Sequence, residues 1–238
     1  MGGRDGARRV GVAVPAAGFG RRMGGRRKAW LTLGGEPILA RTLRAFLERP
    51  DVVAVAVALA ADDAADPPDW LIALDPRVGV VAGGDSRAAS VARAVAMLPA
   101  ELDVILVHDA ARPLVPPEVV QRVLDAVEGS TGAVAGLPAV DTFKRVDERD
   151  RIVDTPPRDG LWHAQTPQGF PAPLLRAALE ALAAEPGGAE RLTDDAMVVA
   201  AAGGTVRMVL GAARNLKVTR PGDLPLAEWY AAHPEEGR

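Results

Sequence analysis

The chain contains no cysteine. That excludes a disulfide framework and any thiolate metal site, and it suits a reducing compartment. A long apolar run is missing as well. Behind "MGGRDGARR" nothing reaches the length of a signal peptide or a membrane span, so the reading is a cytoplasmic protein whose residues 1–8 form a flexible lead-in. Strong charge of one sign is absent too. A net charge of −3 over 238 residues cannot coat nucleic acid or an anionic membrane, and neither is expected as a partner. No internal repeat and no low-complexity linker divides the chain, so 1–238 is parsed as one domain. His108, His163 and His233 are scattered, and no Ser–His or Cys–His pairing stands out, which argues against triad chemistry.

What is present alternates. "RVGVAVPA", "VVAVAVALA", "VGVVAGG", "VILVHDAARP" and "GAVAGLPA" read as buried strands. Between them, "PILARTLRAFLER" places Leu39, Leu43, Phe46 and Leu47 on one helical face. "SRAASVARAVAML" also reads as a helix, and so does "PPEVVQRVLDAVE", which has proline at its favoured start. This order predicts an α/β fold: a Rossmann-like, mostly parallel open sheet with helices on both faces. Further on, "PLLRAALEALAAE", "TDDAMVVAAAG" and "PGDLPLAEWYAAH" look helical and "TVRMVLG" strand-like.

Open parallel sheets bind ligands at the carboxyl ends of their strands. Three polar loops fall there: "AAGFGRR" after the first strand, "GGDSR" after the third and "HDAARP" after the fourth. In the first of these stretches, "VPAAGFGRRMGGRRK", five basic side chains occupy eight positions. A dinucleotide fingerprint fails because the third glycine of G-x-G-x-x-G would fall at Met23, and no acidic residue ends the second strand. A P-loop fails because Gly25 is followed by Arg26. A triphosphate cradle fits better. Glycine-rich backbone N–H groups hold phosphate oxygens and the loop's cations neutralise them, most of all where charge builds on an attacked α-phosphate. A solvated basic loop is the bland alternative.

Residues 141–159, "DTFKRVDERDRIVDTPPRD", carry 11 charges in 19 positions and cannot be core. They read either as a solvated loop or as a projecting β-hairpin, an arm spanning 139–160 whose edges a second subunit would cover. Trp162 and Trp229 read as packing residues.

Taken in order, "VPAAGFGRRM…K", "GGDSRAASV", "ILVHDAARP", "VDTFKRV", "GLWHAQTPQGF", "TDD" and "NLKVTRPGDL" resemble the 2-C-methyl-D-erythritol 4-phosphate cytidylyltransferase family of the nucleotidyltransferase superfamily, over roughly Val10 to Tyr230. The resemblance implies CMP transfer from CTP to methylerythritol 4-phosphate with Mg²⁺ and release of pyrophosphate. It implies Arg22 and Lys28 as transition-state stabilisers, and Ala16, Ala17, Gly18 and Gly20 in the loop around CTP. Gly84, Asp85 and Ser90 are similar to the residues that recognise cytosine, with Arg87 close by. Asp109, Arg112 and Thr166 look like sugar-phosphate or metal-side contacts, and Thr193 and Asp194 match a further substrate-side block. Thr142 and Arg158 sit on the arm, which in this family reaches into the partner subunit of a homodimer, and Arg158 with Lys217 positions the acceptor. The metal's ligands are not implied.

Two departures from the family pattern stand out. Arg27 precedes Lys28 where proline is usual, in a loop one residue shorter, so Arg26, Arg27 and Lys28 all compete for the phosphates. "TDDAMVV" replaces a block that is commonly more polar. Transfer to another polyol phosphate such as ribitol 5-phosphate, or a nucleotide-binding regulatory protein without catalysis, are the alternatives.

Overall fold

The computed structural model describes residues 8–18, 30–184 and 194–237. In chain order the elements are β1 (Val10–Pro15), β2 (Thr32–Leu33), β3 (Glu36–Pro37), α1 (Ile38–Leu47), β4 (Val52–Leu59), α2 (Ala61–Ala65), α3 (Asp69–Ile72), β5 (Val78–Ala82), α4 (Arg87–Met97), β6 (Val104–Val107) and α5 (Pro117–Ala126). Then follow β7 (Thr131–Pro138), β8 (Arg145–Val146), β9 (Ile152–Asp154), β10 (Trp162–Pro171), α6 (Ala172–Ala184), α7 (Asp195–Ala201), β11 (Thr205–Leu210) and α8 (Asp223–Ala232).

Seven strands form one sheet in the order β11-β7-β10-β6-β1-β4-β5. The neighbours β6, β1, β4 and β5 are parallel, as are β7 and β11. Strand β10 runs antiparallel to both β6 and β7, and so joins the two parallel blocks. The expected α/β architecture is therefore present. Sequence patterning did not foresee the antiparallel strand, nor the β2–β3 hairpin and the short helices α2 and α3. "WHAQTPQGFP" holds two prolines, two glutamines and a glycine, and has no apolar alternation. Its burial comes from its place between two strands, not from its composition.

The two faces of the sheet are written into β1 and β4. On one face Val10, Val12, Val14, Val55, Val57 and Leu59 meet Leu39, Leu43 and Phe46 of α1 and Val119, Val120 and Val123 of α5. On the other, the small Ala13, Ala56 and Ala58 face Val91 and Ala94 of α4 and Leu175, Ala178 and Leu179 of α6. Alternate residues of a strand point to opposite faces, so a Val/Ala alternation gives one bulky face and one shallow face.

Among the described residues no helix is long and apolar enough to cross a membrane. The charged segment forms a short hairpin, β8 against β9. Asp147 at its turn accepts from the backbone of Arg149 and Arg151 and from the Arg151 guanidinium. In the small β2–β3 hairpin both turn residues, Gly34 and Gly35, have φ of 61° and 81°, which is the conformation a tight two-residue turn demands and glycine adopts without penalty. Arg8 donates to the carbonyls of Leu124 and Val127 at the end of α5. The rest of the lead-in expected over residues 1–8 lies outside the described residues.

Candidate active site

The loops after β1, β5 and β6 converge at the carboxyl edge of the sheet. Ala16, directly after β1, donates its N–H to the Ala58 carbonyl at 2.7 Å. Ala17 follows, half-buried, and then Gly18, exposed. Gly83 lies so close that a Cβ there would stand 2.4 Å from the Ala17 Cβ, so glycine is what lets the first and third loops touch. Gly84 donates its N–H to Ser90 Oγ at 3.1 Å, and the Ser90 hydroxyl also lies 2.9 Å from the Ser86 carbonyl. Ser90 is buried, so its hydroxyl shapes the Gly84 turn from beneath, while Asp85 is exposed beside it. Ser86 caps α4 by accepting from the Ala89 N–H.

Arg87 is the first residue of α4. The resemblance grouped it with the base-recognising loop, but its guanidinium turns toward the sheet. It lies 2.8 Å from Asp195 Oδ2 and 3.4 Å from Asp109 Oδ1. Asp109 stands where the chain leaves β6 and makes a turn closed by Arg112 N–H to the Asp109 carbonyl. Its carboxylate meets two more cations, Lys217 Nζ at 2.8 Å and Arg112 Nε at 3.7 Å. Lys217 is held there by chain pairing, since the Val218 N–H donates to the Ala111 carbonyl.

Burial alone would raise the Asp109 pKa, but Lys217, Arg87 and Arg112 outweigh it and hold the carboxyl well below the usual carboxylate range. Asp195 is shifted the other way, because burial dominates over the single cation beside it. Asp195 Oδ2 makes an ion pair with Arg87 but no directed hydrogen bond. Three cations therefore surround two carboxylates, and the cluster is net positive. A phosphate dianion is the kind of group such a cluster attracts.

Behind the cluster lies a scaffold of polar side chains. Thr166 Oγ1 accepts the Asp109 N–H at 3.0 Å and lies 3.0 Å from His108 Nδ1. The Asn215 side-chain amide donates to the Thr166 carbonyl and to Gln165 Oε1, and the Asn215 backbone carbonyl accepts from Arg112 Nη1 at 2.6 Å. Gln168 of β10 accepts the Ala196 N–H through its side-chain oxygen. Asp194 caps α7 by accepting from the Met197 N–H. These contacts gather at the register shift of β10 between Ala164 and Gln168.

Of the residues named from the sequence, Asp109, Arg112, Thr166, Arg87 and Lys217 come together in one cluster, and Asp194 borders it through Gln168. Ala16, Ala17, Gly18, Gly84, Asp85 and Ser90 line the neighbouring loops. Thr142 and Arg158 are exposed on the hairpin segment, where the Arg158 guanidinium donates to the Val140 carbonyl, not to the Asp109 cluster. Gly20, Arg22, Lys28 and Thr193 lie outside the described residues.

Asp195, Gln165, Gln168 and Asn215 were not singled out from sequence, and His108 was discounted. Their signal was adjacency: each stands in a quoted block beside a residue that was assigned. Trp162 and Trp229, expected to pack, are more than a third exposed, and Trp229 stacks on His233 with centroids 4.5 Å apart.

The family model of 2-C-methyl-D-erythritol 4-phosphate cytidylyltransferase matches residues 10–233. The chain belongs to this family. A cytidylyltransferase of that name from Acidobacterium capsulatum is 44% identical over 93% of this chain and 97% of its own. One from Frankia casuarinae is 46% identical over 92% of this chain and 80% of its own. The solved structure of the Thermus thermophilus enzyme superposes with a TM-score of 0.75 at 37% identity, covering 94% of this chain and 98% of that one. Family membership carries the enzyme class, a nucleotidyltransferase, and the architecture described above is the one shared with the solved relatives.

The buried histidine also makes stability depend on pH. Burial pushes His108 down from 6.5 to about 4, against the pull of the Arg112 carbonyl and Asp109 and with the help of the Arg112 and Lys217 charges. A depressed folded pKa means that the unfolded chain binds the proton first. Stability from this group is therefore complete above pH 6.5 and is lost as pH falls toward 4, by about 3 kcal/mol. Urea unfolding at pH 7 and pH 4.5 should show that slope in the wild type and a flatter one in His108→Asn. Equal slopes would contradict a histidine held neutral.

Proposed function

We propose that this chain transfers the cytidylyl group of CTP to 2-C-methyl-D-erythritol 4-phosphate. A phosphate oxygen of the acceptor forms a bond to the α-phosphorus, the bond from that phosphorus to the bridging oxygen breaks, and pyrophosphate leaves. The observation that carries the reading is the net-positive cluster of Arg87, Arg112 and Lys217 around Asp109, at the sheet edge beside the glycine-rich nucleotide loop. Family membership supports it.

No general base is required, because a phosphate monoester near neutral pH is already an anionic nucleophile. The protein's work is to align two anions that repel each other and to neutralise the charge that develops. Lys217 and Arg112 hold the acceptor phosphate. Asp109 keeps both cations in place and leaves them net positive. Gly84, Asp85 and Ser90 shape the base-binding side, and Ala16 to Gly20 wrap the nucleotide. On the strength of the resemblance, Arg22 and Lys28 stabilise the α-phosphate in the transition state.

A divalent cation belongs to this reading, and the donor chemistry suits one carried by the nucleotide. Mg²⁺ in such sites is held largely by phosphate oxygens and water with one or two carboxylates. Among the described residues no group of three or more metal-ligating side chains occurs. When bound, the ion would neutralise the triphosphate.

The arm, 139–160, is read as the dimer element of a single cytoplasmic nucleotidyltransferase domain. Its exposed Val140, Val146, Ile152 and Val153 support cover by a second copy. The same copy would receive Thr142 and Arg158 in its acceptor site.

The test is a pyrophosphate-release assay with CTP, Mg²⁺ and either methylerythritol 4-phosphate or ribitol 5-phosphate. Release with the first and little with the second is expected; no release with the first overturns the reading. Arg158→Ala should raise the KM for the acceptor far more than the KM for CTP. Mixing Arg158→Ala with Lys217→Ala chains should regain activity through hybrid dimers that hold one intact site, and no recovery would refute sharing between subunits.

A further inference from the structure

His108 immediately precedes Asp109, is fully buried and packs edge-on against Phe46 with centroids 4.8 Å apart. Neither the resemblance nor the reaction assigns it a task. Both of its ring nitrogens are nevertheless engaged, and the chemistry of their partners allows one proton arrangement. The Arg112 carbonyl, 3.1 Å from Nε2, can only accept, so Nε2 carries the hydrogen. Nδ1 then has a free lone pair and must accept, and the group 3.0 Å away that can donate to it is the Thr166 hydroxyl. With its proton given to His108, Thr166 Oγ1 offers a lone pair to the Asp109 N–H, which it meets at 3.0 Å. The chain of hydrogen bonds is closed and directional: Asp109 N–H to Thr166, Thr166 to His108, His108 to the Arg112 carbonyl.

The two residues that His108 ties down both touch Asp109. Thr166 comes from the antiparallel strand β10, 58 residues along the chain. Arg112 closes the turn after β6, and its guanidinium spans the Asp109 carboxylate and the Asn215 carbonyl. An apolar side chain of the same size would fill the space but leave the Thr166 O–H and the Arg112 carbonyl without the partners that His108 gives them.

We propose that His108, neutral and protonated at Nε2, is a positioning residue for the acceptor phosphate: through Thr166 and Arg112 it fixes where Asp109 and the cations around it stand. The role rests on the cytidylyl-transfer reading. It differs from a purely structural role because it predicts an effect on one substrate and not the other. The nucleotide-side residues Ala16 to Gly18, Gly84, Asp85 and Ser90 make no hydrogen bond to His108, so their geometry should survive its loss.

Three variants divide the role. His108→Phe removes both hydrogen bonds. His108→Asn puts an amide oxygen near Nδ1 and can still accept from Thr166. His108→Gln puts an amide N–H near Nε2 and can still donate to the Arg112 carbonyl. Steady-state kinetics with CTP, Mg²⁺ and methylerythritol 4-phosphate should show the acceptor KM raised roughly tenfold or more in His108→Phe, with the KM for CTP changed less than about twofold, and partial recovery in the Asn and Gln variants. Equal changes in both KM values, or lowered stability with both KM values intact, would overturn the positioning role. Ring ¹⁵N NMR of the wild-type protein tests the hydrogen-bond chain without any turnover. It should show a neutral Nε2–H tautomer at pH 7.5, and an Nδ1–H or doubly protonated ring would refute the proposal. If the wild type makes no pyrophosphate at all, the reaction assignment falls and the role in acceptor positioning falls with it, whereas a wrong tautomer in an active enzyme overturns the role of His108 alone.

Discussion

Asp109→Asn is expected to lower the stability of the protein by about 3–5 kcal/mol, the cost of removing one partner from a buried charge cluster. Arg87, Arg112 and Lys217 converge on that carboxylate, and its neighbour Asp195 faces only Arg87. Asparagine keeps the size and one oxygen but not the charge, so the buried Arg112 and the partly exposed Arg87 and Lys217 would repel each other with only Asp195, on Arg87, left to offset them. The urea midpoint reports the loss. The deficit should also depend on pH with a defined sign. The depressed carboxyl stabilises the fold above its ordinary 3.8 and stops doing so as pH falls through its lower folded value, so wild type and variant should converge in acid. A variant within 1 kcal/mol of wild type at pH 7 would mean that the cations do not need the carboxylate.

Arg22→Ala and Lys28→Ala are each expected to lower kcat by roughly 10²–10³, about 3–4 kcal/mol of transition-state stabilisation, while leaving the unfolding midpoint nearly unchanged. The asymmetry between kcat and stability follows from their task. Charge on the α-phosphate oxygens grows only as the new bond forms, so a cation aimed there is worth more in the transition state than in the ground state. The competing cations make the test sharper. If Lys28 reaches the phosphates and Arg26 and Arg27 do not, alanine at either arginine should cost less than about tenfold. A small effect at Lys28 and a large one at Arg27 would transfer the role by one position. Little change in kcat at both Arg22 and Lys28 would remove them from the transition state altogether.

The parallel part of the sheet was readable because the signals are local. In β1 and β4 the alternation of Val with Ala reports two buried faces within a single octapeptide, and the polar loops announce themselves as glycine, aspartate and arginine where each strand stops. The candidate nucleotide loops follow from that order, since a right-handed parallel arrangement brings the carboxyl ends of its strands to one edge. Strand β10 was not readable. Nothing in "WHAQTPQGFP" distinguishes a central strand from a loop until β6 and β7 stand on either side of it.

The order of the parallel strands and their helices, the α/β class, the basic glycine-rich stretch and the family blocks are thus properties of the linear chain, because propensity, patterning and turn chemistry act over a few residues. The charge cluster around Asp109 belongs to the tertiary structure. Thr166 reaches Asp109 across 57 residues, and Asn215 reaches Arg112 across 103. Arg87 turns away from the base loop to join them, and His108 becomes a neutral brace where a lone histidine in the sequence looked incidental. Which way a side chain points, and whether its partner is water or a buried carbonyl, is decided by packing between distant segments. Local sequence does not encode that.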